Sequence, residues 1–333
     1  MDPLENSLTY KNSGVDIKAA EAVVDDIARL RKRTERKGKI LGSFGGFASG
    51  FDMSGYRNPV ILTTCDGIGT KMIPLLEQDM LETAGIDLVA MNVNDILTSN
   101  AQPILFLDYI GIGQIDRGRI TRLISGMADA LEACGCILAG GETAEMPDMV
   151  PEGSVELSGF CVGAAEKDDL PDSSAIASGD KIIGIRSQGF HANGWSLIRK
   201  VIQRHKDAFS QDDLRNLLAP TRIYYPEVMR LKDERIKIKG MAHITGGGIP
   251  DNLARALSGK GARIKLPPWE NTAARNVLQY VEQDEALSAF NMGFGWMIVV
   301  EPSLAERALS VLSDGVILGE VVPDGPVTIE EDS

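Results

Sequence analysis

Five glycine-rich stretches cut this chain of 333 residues, at 42–50, 67–69, 140–141, 189–194 and 246–248. Each lies beside a short apolar run or opens a helical pattern. Strand, glycine loop, helix is the grammar of layered α and β structure, and it limits the fold to helices packed on sheets. Glycine contributes 35 residues, above the usual share of roughly 7%. Excess of that kind serves turns and places where backbone N–H groups must come close to a phosphate.

The elements follow from periodicity. Residues 20, 23, 24, 27 and 30 are apolar at helical spacing, and the basic run Arg29, Arg31, Lys32, Arg33, Arg36, Lys37, Lys39 reads as a solvated helix end. Pro59–Thr64 is a strand that leads into Asp66-Gly67-Ile68-Gly69-Thr70-Lys71. Gly85–Leu97 and Ile120–Cys134 are helices, Ile104–Ile110 and Cys136–Ala139 strands, and Val155–Ala165 alternates like a strand. The Asp-, Ser- and Pro-rich stretch Glu166–Asp180 breaks the composition, so two domains are expected, 1–168 and 169–333. In the second, Lys181–Ile185 and Lys237–Ile244 are strands, each followed by a glycine loop and a helix. Mixed sheets with packed helices, an α+β fold, suit this order better than a regular βαβ series.

Charge narrows the partners. Lys plus Arg number 34 and Asp plus Glu 47, a net charge of −13. Such a body repels nucleic acid and anionic membrane unless a local basic site intervenes. No run of about 18 apolar residues offers a membrane span, and Met1–Lys18 carries no signal-peptide core. Cys65, Cys134, Cys136 and Cys161 form no C-x-x-C pair and read as buried reduced thiols, as in a cytoplasmic protein. The P-loop, G-x-G-x-x-G, G-x-S-x-G and H-E-x-x-H motifs are absent.

What remains is a set of acids beside glycines. Asp66 stands at a strand end with Gly67, Gly69, Thr70 and Lys71 behind it; it reads as a Mg²⁺ carboxylate beside a phosphate loop, or as a tight turn with an exposed lysine. Asp87, Asn94 and Asp95 share the polar side of one helix, as a cation site or a solvated face. Glu142 and Glu145 follow Gly140-Gly141, next to polyphosphate or as acids at a helix start. Asp108 interrupts an apolar strand, either facing solvent or paired at a site. His191 and Asn193 lie in a glycine-bounded loop, and Thr245-Gly246-Gly247-Gly248 precedes a helix; each suits an anion or a plain turn. Mg²⁺ with a nucleotide is the simplest common explanation of the acids.

The same segments carry a resemblance over about Leu8 to Glu320. Thr9-Tyr10-Lys11-Asn12-Ser13-Gly14-Val15-Asp16-Ile17, Gly45-Gly46-Phe47, Asp66 to Lys71, Gly85 to Asp95, Phe106-Leu107-Asp108-Tyr109, Gly140 to Pro147, Leu218 to Tyr224, His243 to Gly248 and Phe290-Asn291-Met292-Gly293 resemble the phosphoribosylformylglycinamidine cyclo-ligase (aminoimidazole ribonucleotide synthetase) family. Thr143-Ala144-Glu145-Met146-Pro147 and Ala219-Pro220-Thr221-Arg222 are the most specific stretches. Asn12-Ser13, Ala192, Trp195 and Trp296 depart from its usual pattern without removing a candidate ligand.

The resemblance implies an ATP-dependent ligase of purine biosynthesis that phosphorylates the amide oxygen of formylglycinamidine ribonucleotide and closes the imidazole ring. It implies an N-terminal α+β domain that forms a homodimer through its sheet, and a C-terminal α+β domain on the substrate side. It further implies Mg²⁺ held by Asp66, Asp95 and Glu142. ATP would be met by Gly45, Gly46, Asp66, Gly67, Gly69, Thr70, Lys71, Asn94, Asp108 and Gly141. Substrate would be met by His191, Asn193, Arg222, Thr245, Gly246, Gly247 and Gly248, with His191, Asp95 and Lys71 as the catalytic groups. Two other readings stay open: a kinase of the same superfamily, which would transfer phosphate without ring closure, and a non-catalytic nucleotide-binding protein. Assaying ATP use and imidazole formation separates them.

Overall fold

The computed structural model describes residues 17–35, 39–42 and 46–330, with side chains from residue 24 onward. The expectations on residues 9–16 and on Gly45 lie outside them. The first half runs α1 (Ile17–Thr34), β1 (Ile40–Leu41), β2 (Gly50–Phe51), β3 (Pro59–Gly67), α2 (Met72–Glu77), α3 (Leu81–Leu97), β4 (Gln102–Ile112), α4 (Arg117–Cys134), β5 (Ile137–Glu145) and β6 (Val155–Glu166). Its four-stranded sheet has the order β3-β6-β4-β5. Strand β6 is antiparallel to both neighbours, and α4 is the crossover between the parallel pair β4 and β5.

Helices α3 and α4 cover one face of this sheet. Asp116 caps α4 by accepting from Arg119 N–H, and Gly135 ends it in the left-handed conformation at φ 61°. The two helices cross closely because neither has a side chain at the crossing. A β-carbon on Gly85 would lie 2.1 Å from the Leu123 carbonyl oxygen, and one on Gly126 would lie 2.0 Å from that of Glu82. Helix α1 docks on α4 and β5 through the basic run expected to be solvated. Arg31 is buried and donates to the Leu138 carbonyl at 3.2 Å, and Arg33 pairs with Asp129 and Glu132. The acids of α4 set that docking, and the run alone does not reveal them.

Two strands extend past their expected ends. Strand β3 includes Asp66 and Gly67, and β5 runs through Gly140, Gly141 and Glu142 to Glu145. The glycines expected to form a loop are paired strand residues, with Gly141 opposite Asp108 and Glu142 opposite Tyr109.

The second half runs β7 (Lys181–Arg186), α5 (Trp195–Arg204), α6 (Gln211–Leu217), α7 (Tyr225–Asp233), β8 (Ile238–His243), α8 (Gly248–Ala256), β9 (Gly261–Lys265), α9 (Thr272–Leu278), α10 (Gln283–Ala289), β10 (Phe294–Val300), α11 (Ala305–Val311), β11 (Gly315–Val322) and β12 (Val327–Glu330). These strands form a six-stranded sheet of order β12-β9-β11-β7-β10-β8, with β8 at one edge. Only β12 and β9 are parallel.

The halves meet along α3. Its expected polar side is buried against the segment 219–224. Asp87 Oδ1 accepts from Thr221 N–H at 2.6 Å, Asn94 Oδ1 accepts from Tyr224 N–H at 3.0 Å, and Asn94 Nδ2 donates to the Arg222 carbonyl at 2.9 Å. Lys71, fully buried, pairs with Asp87 at 2.7 Å and donates to the Ala219 carbonyl at 2.9 Å. A lysine and an aspartate can be buried together only because each satisfies the other. Replacing Lys71 by Met leaves the Asp87 carboxylate buried without its cation. The expected cost is about 3–5 kcal/mol, seen as a lower unfolding midpoint in urea; an unchanged midpoint would contradict this account of the seam.

Candidate active site

Two cavities flank the carboxylates. The first, about 780 Å³, lies between the 46–49 loop, α1, β4 and β5, and Gly46, Asp108, Gly141 and Glu142 line it. Ser49 Oγ pins the loop by donating to the Ala139 carbonyl at 2.8 Å. Asp108 is nearly buried, and burial pushes its carboxyl up to about 7, with the Glu142 charge adding to the rise. The strand opposite must make room for it: a β-carbon on Gly141 would sit 2.3 Å from Asp108 Oδ1.

The second cavity, about 590 Å³, lies on the seam between the halves, lined by Asp95 of α3 and Thr98 just beyond it, by β8, and by Thr245, Asn252 and Arg255. His243, at the end of β8, holds Asp95 with Nδ1 2.9 Å from Oδ1. A carboxylate only accepts, so Nδ1 carries the proton. Nε2 is then free to accept from Asn94 Nδ2 at 3.4 Å. The imidazole is 2% exposed and the carboxylate 41%, so the histidine is buried behind an acid that opens on the cavity.

Asp66 ties the two regions together. Burial raises its carboxyl above the usual range and the nearby Asp95 charge adds to this, against a hydrogen bond from Gly67 N–H at 2.7 Å. Asp66 faces Gly159 on β6, Gly159 faces Asp108 on β4, and Asp108 faces Gly141 on β5. Four residues in one row across the sheet therefore place the two acids two strand spacings apart, about 10 Å.

Among the described residues no three His, Cys, Asp or Glu side chains form a metal cluster. The expected trio of Asp66, Asp95 and Glu142 is divided: Asp66 and Asp95 face each other electrostatically, whereas Glu142 neighbours Asp108 in the first cavity. Paired, mutually repelling carboxylates still suit Mg²⁺, which takes one or two carboxylates and completes its shell with water and phosphate oxygens.

Several other expected residues are placed elsewhere. Lys71 lines neither cavity, because its charge is spent on Asp87. His191 is buried, accepts at Nε2 from Gln188 and Arg222 N–H, and is held well below its ordinary pKa, first by burial and then by the charges of His243, Lys71 and Arg222. It sits in the core and lines neither cavity. The Arg222 guanidinium is committed to Asp314 and to Glu227 at 2.7 Å. Among the described residues the Asn193 side chain hydrogen-bonds to Met91 Sδ, at 3.9 Å. Gly69 and Thr70 form a short turn outside both cavities, where Thr70 Oγ1 lies 3.0 Å from Ser196 Oγ. Of Thr245 to Gly248 only Thr245 lines the seam cavity; Asn252 Nδ2 ties that loop down through the carbonyls of Thr245, Gly246 and Gly248.

His243, Asn252 and Arg255, which line the seam cavity, were not among the expected site residues. His243 stood in a noted motif, two residues before Thr245. Asn252 and Arg255 occupy ordinary helix positions with no local signal. Among the cysteines Cys65 is exposed, on the open sheet face, whereas the other three are buried.

Asp108 gives a pH test of the first cavity. Its folded pKa is raised, so the folded chain holds this proton more tightly than the unfolded one. Stability is therefore lost as pH rises from 3.8 through about 7. In buffers free of divalent cations, Asp108→Asn should match the parent at pH 4 and exceed it at pH 8 by about 1–3 kcal/mol in thermal unfolding. A parent that stays the more stable at pH 8 would show that a further group balances the carboxylate.

Comparison with known proteins fits this geometry. Residues 56–165 match the N-terminal domain family of AIR synthase related proteins, and residues 177–331 match the corresponding C-terminal domain family. A phosphoribosylformylglycinamidine cyclo-ligase of Methylobacillus flagellatus is 42% identical over 94% of this chain and 93% of its own length. Those of Thermoanaerobacter pseudethanolicus and Chromobacterium violaceum are 41% and 43% identical, each over 95% of this chain and over 98% and 93% of their own lengths. In fold the chain is similar to E. coli HypE, with a TM-score of 0.67 at 18% identity over 91% of this chain and 92% of that one. It is also similar to Thiamine-monophosphate kinase from Stenotrophomonas maltophilia, with a TM-score of 0.65 at 17% identity over 91% and 95%. Among the described residues no helix is long and apolar enough to cross a membrane. The chain belongs to the phosphoribosylformylglycinamidine cyclo-ligase family.

Proposed function

We propose that the two cavities divide the work of this ligase, which closes the imidazole ring of aminoimidazole ribonucleotide at the expense of ATP. The nucleotide occupies the 780 Å³ cavity beside Gly46, Asp108 and Gly141, and formylglycinamidine ribonucleotide occupies the 590 Å³ seam cavity. The observation that carries this reading is the row Asp66, Gly159, Asp108, Gly141, which sets Asp108 of the first cavity about 10 Å from Asp66, whose carboxyl feels the charge of Asp95 at the seam. Similarity to HypE solved in complex with ATP, with a TM-score of 0.67 at 19% identity over 92% of this chain and 88% of that one, favours a nucleotide in the fold.

Asp66 and Asp95 would hold Mg²⁺, with Glu142 and Asp108 on the nucleotide side. The ion, when bound, neutralises polyphosphate charge as the γ-phosphoryl group moves. The chain's own part is positioning. His243 fixes the Asp95 carboxylate from the C-terminal half, and α3 carries Asn94 and Asp95 to the seam. The substrate's amide oxygen takes the phosphoryl group and becomes a leaving group. The ring-closing nitrogen then attacks the activated carbon, the C–O bond breaks, and phosphate departs with loss of a proton from nitrogen. No side-chain nucleophile is needed.

The exposed face of the N-terminal sheet supports a homodimer. Ile61, Leu107 and Phe160 are 52%, 36% and 42% exposed there. They occur on three adjacent strands, with Phe160 directly opposite Leu107. An apolar strip of that kind on a sheet normally has a partner. Three buried thiols and the reaction itself suit a reducing cytoplasm.

Asp95→Asn keeps the shape and removes the charge. Supplied with formylglycinamidine ribonucleotide, ATP and Mg²⁺, it should form imidazole about 100-fold more slowly or worse. An unchanged rate would remove Asp95 from the site, and ATP use by the parent without imidazole would favour a kinase. Phe160→Glu should convert the dimer to monomer in sedimentation velocity with the circular dichroism spectrum intact; a dimer that survives it uses another surface.

A further inference from the structure

The seam cavity is chemically lopsided. Asp95 and His243 stand at one end. At the other are Gly240 and the C-terminal end of α8, where a β-carbon on Gly240 would lie 3.0 Å from the Ala256 carbonyl. Two cations line the cavity, Lys239 and Arg255. Lys239 is already matched, with Nζ 2.8 Å from both carboxylate oxygens of Asp180. Arg255 is exposed and has no hydrogen bond or ion pair with any described residue. In a chain of net charge −13, a guanidinium left unmatched at a cavity wall is available to an anion from solution.

The length of the wall suits a ribonucleotide. From Gly240 to His243 is three steps along β8, about 10 Å. That is the reach of a ribonucleotide from its 5′-phosphate to its reacting end. Because β8 is the edge of its sheet, the outer row of its backbone N–H and C=O groups has no neighbouring strand. The wall between the two ends therefore offers donors and acceptors of the kind a ribose and an amide would use.

We propose that Arg255 binds the 5′-phosphate of the substrate, so that the ribonucleotide lies along β8 with its amide end at Asp95. The inference rests on the ring-closure reading and adds the recognition of the phosphate to it. The guanidinium fork matches a phosphate bidentately, and a lysine would supply charge without that geometry.

The test compares the parent with Arg255→Ala and Arg255→Lys. In Arg255→Ala the KM for formylglycinamidine ribonucleotide should rise about 10–100-fold while the KM for ATP stays within about twofold, with Lys intermediate. By calorimetry the Kd for ribose 5-phosphate should rise in parallel, and unphosphorylated ribose should show no difference between parent and variant. An unchanged substrate KM and ribose 5-phosphate Kd would overturn the assignment. So would an ATP KM that rises alongside, which marks general loss of structure. A parent that forms no imidazole defeats the ring-closure reading alone, and the ribose 5-phosphate titration still decides the role of Arg255.

Discussion

Everything at the seam depends on a buried polar ridge of helix α3. Asp87 and Asn94 do not face water, and Asp95 opens on the seam cavity. They accept and donate to the backbone of 219–224 and to His243, and Lys71 supplies the cation that makes an interior carboxylate tolerable. Backbone hydrogen bonds of this kind fix position more strictly than apolar contact, because a slip of one residue leaves several buried groups unpaired. The two halves are thus registered against one helix, and the same helix presents Asp95 to the cavity.

The acids on the sheet obey a second constraint. Strand pairing puts Asp66 and Asp108 in one row, and glycine at position 141 gives Asp108 room. Burial and like charge raise both carboxyls, an electrostatic cost that a divalent cation relieves. The divided placement of Glu142 gives the nucleotide side its own acids. It also fits an ion that takes much of its coordination from phosphate oxygens.

Local signals gave the sequence reading its element types and the acids beside glycines. Helix α3 was legible from apolar positions 86, 89, 90, 93 and 97, and its Asn94 and Asp95 stood out as polar positions. Their partners were not legible, because the residues that bury the ridge lie more than 120 positions away. Lys71 and His191 likewise have partners in the fold that their own segments do not show. A lysine after a glycine turn and a histidine in a glycine loop look like phosphate and proton groups, until Asp87 and the core at Tyr224 and Trp296 take them in. Gly140-Gly141 looked like a loop because glycine usually breaks a strand; here Gly141 keeps the strand going beside the bulk of Asp108. Arg255 had no local mark at all, since an unmatched charge is a property of its surroundings.

Two missing side chains at the crossing of α3 and α4 set how the ridge is turned. At Gly85 and Gly126 a single methyl group would enter the carbonyl of the opposing helix. That backbone-to-backbone stop sets the roll of α3 about its own axis, and a helix gives about 100° to each residue. A few degrees of roll forced by one added carbon would swing Asp95 away from His243 while leaving every charged group in the chain unchanged. The aim of the carboxylate is thus governed by two residues with no chemistry of their own, like a bearing surface that keeps a tool pointed at its work.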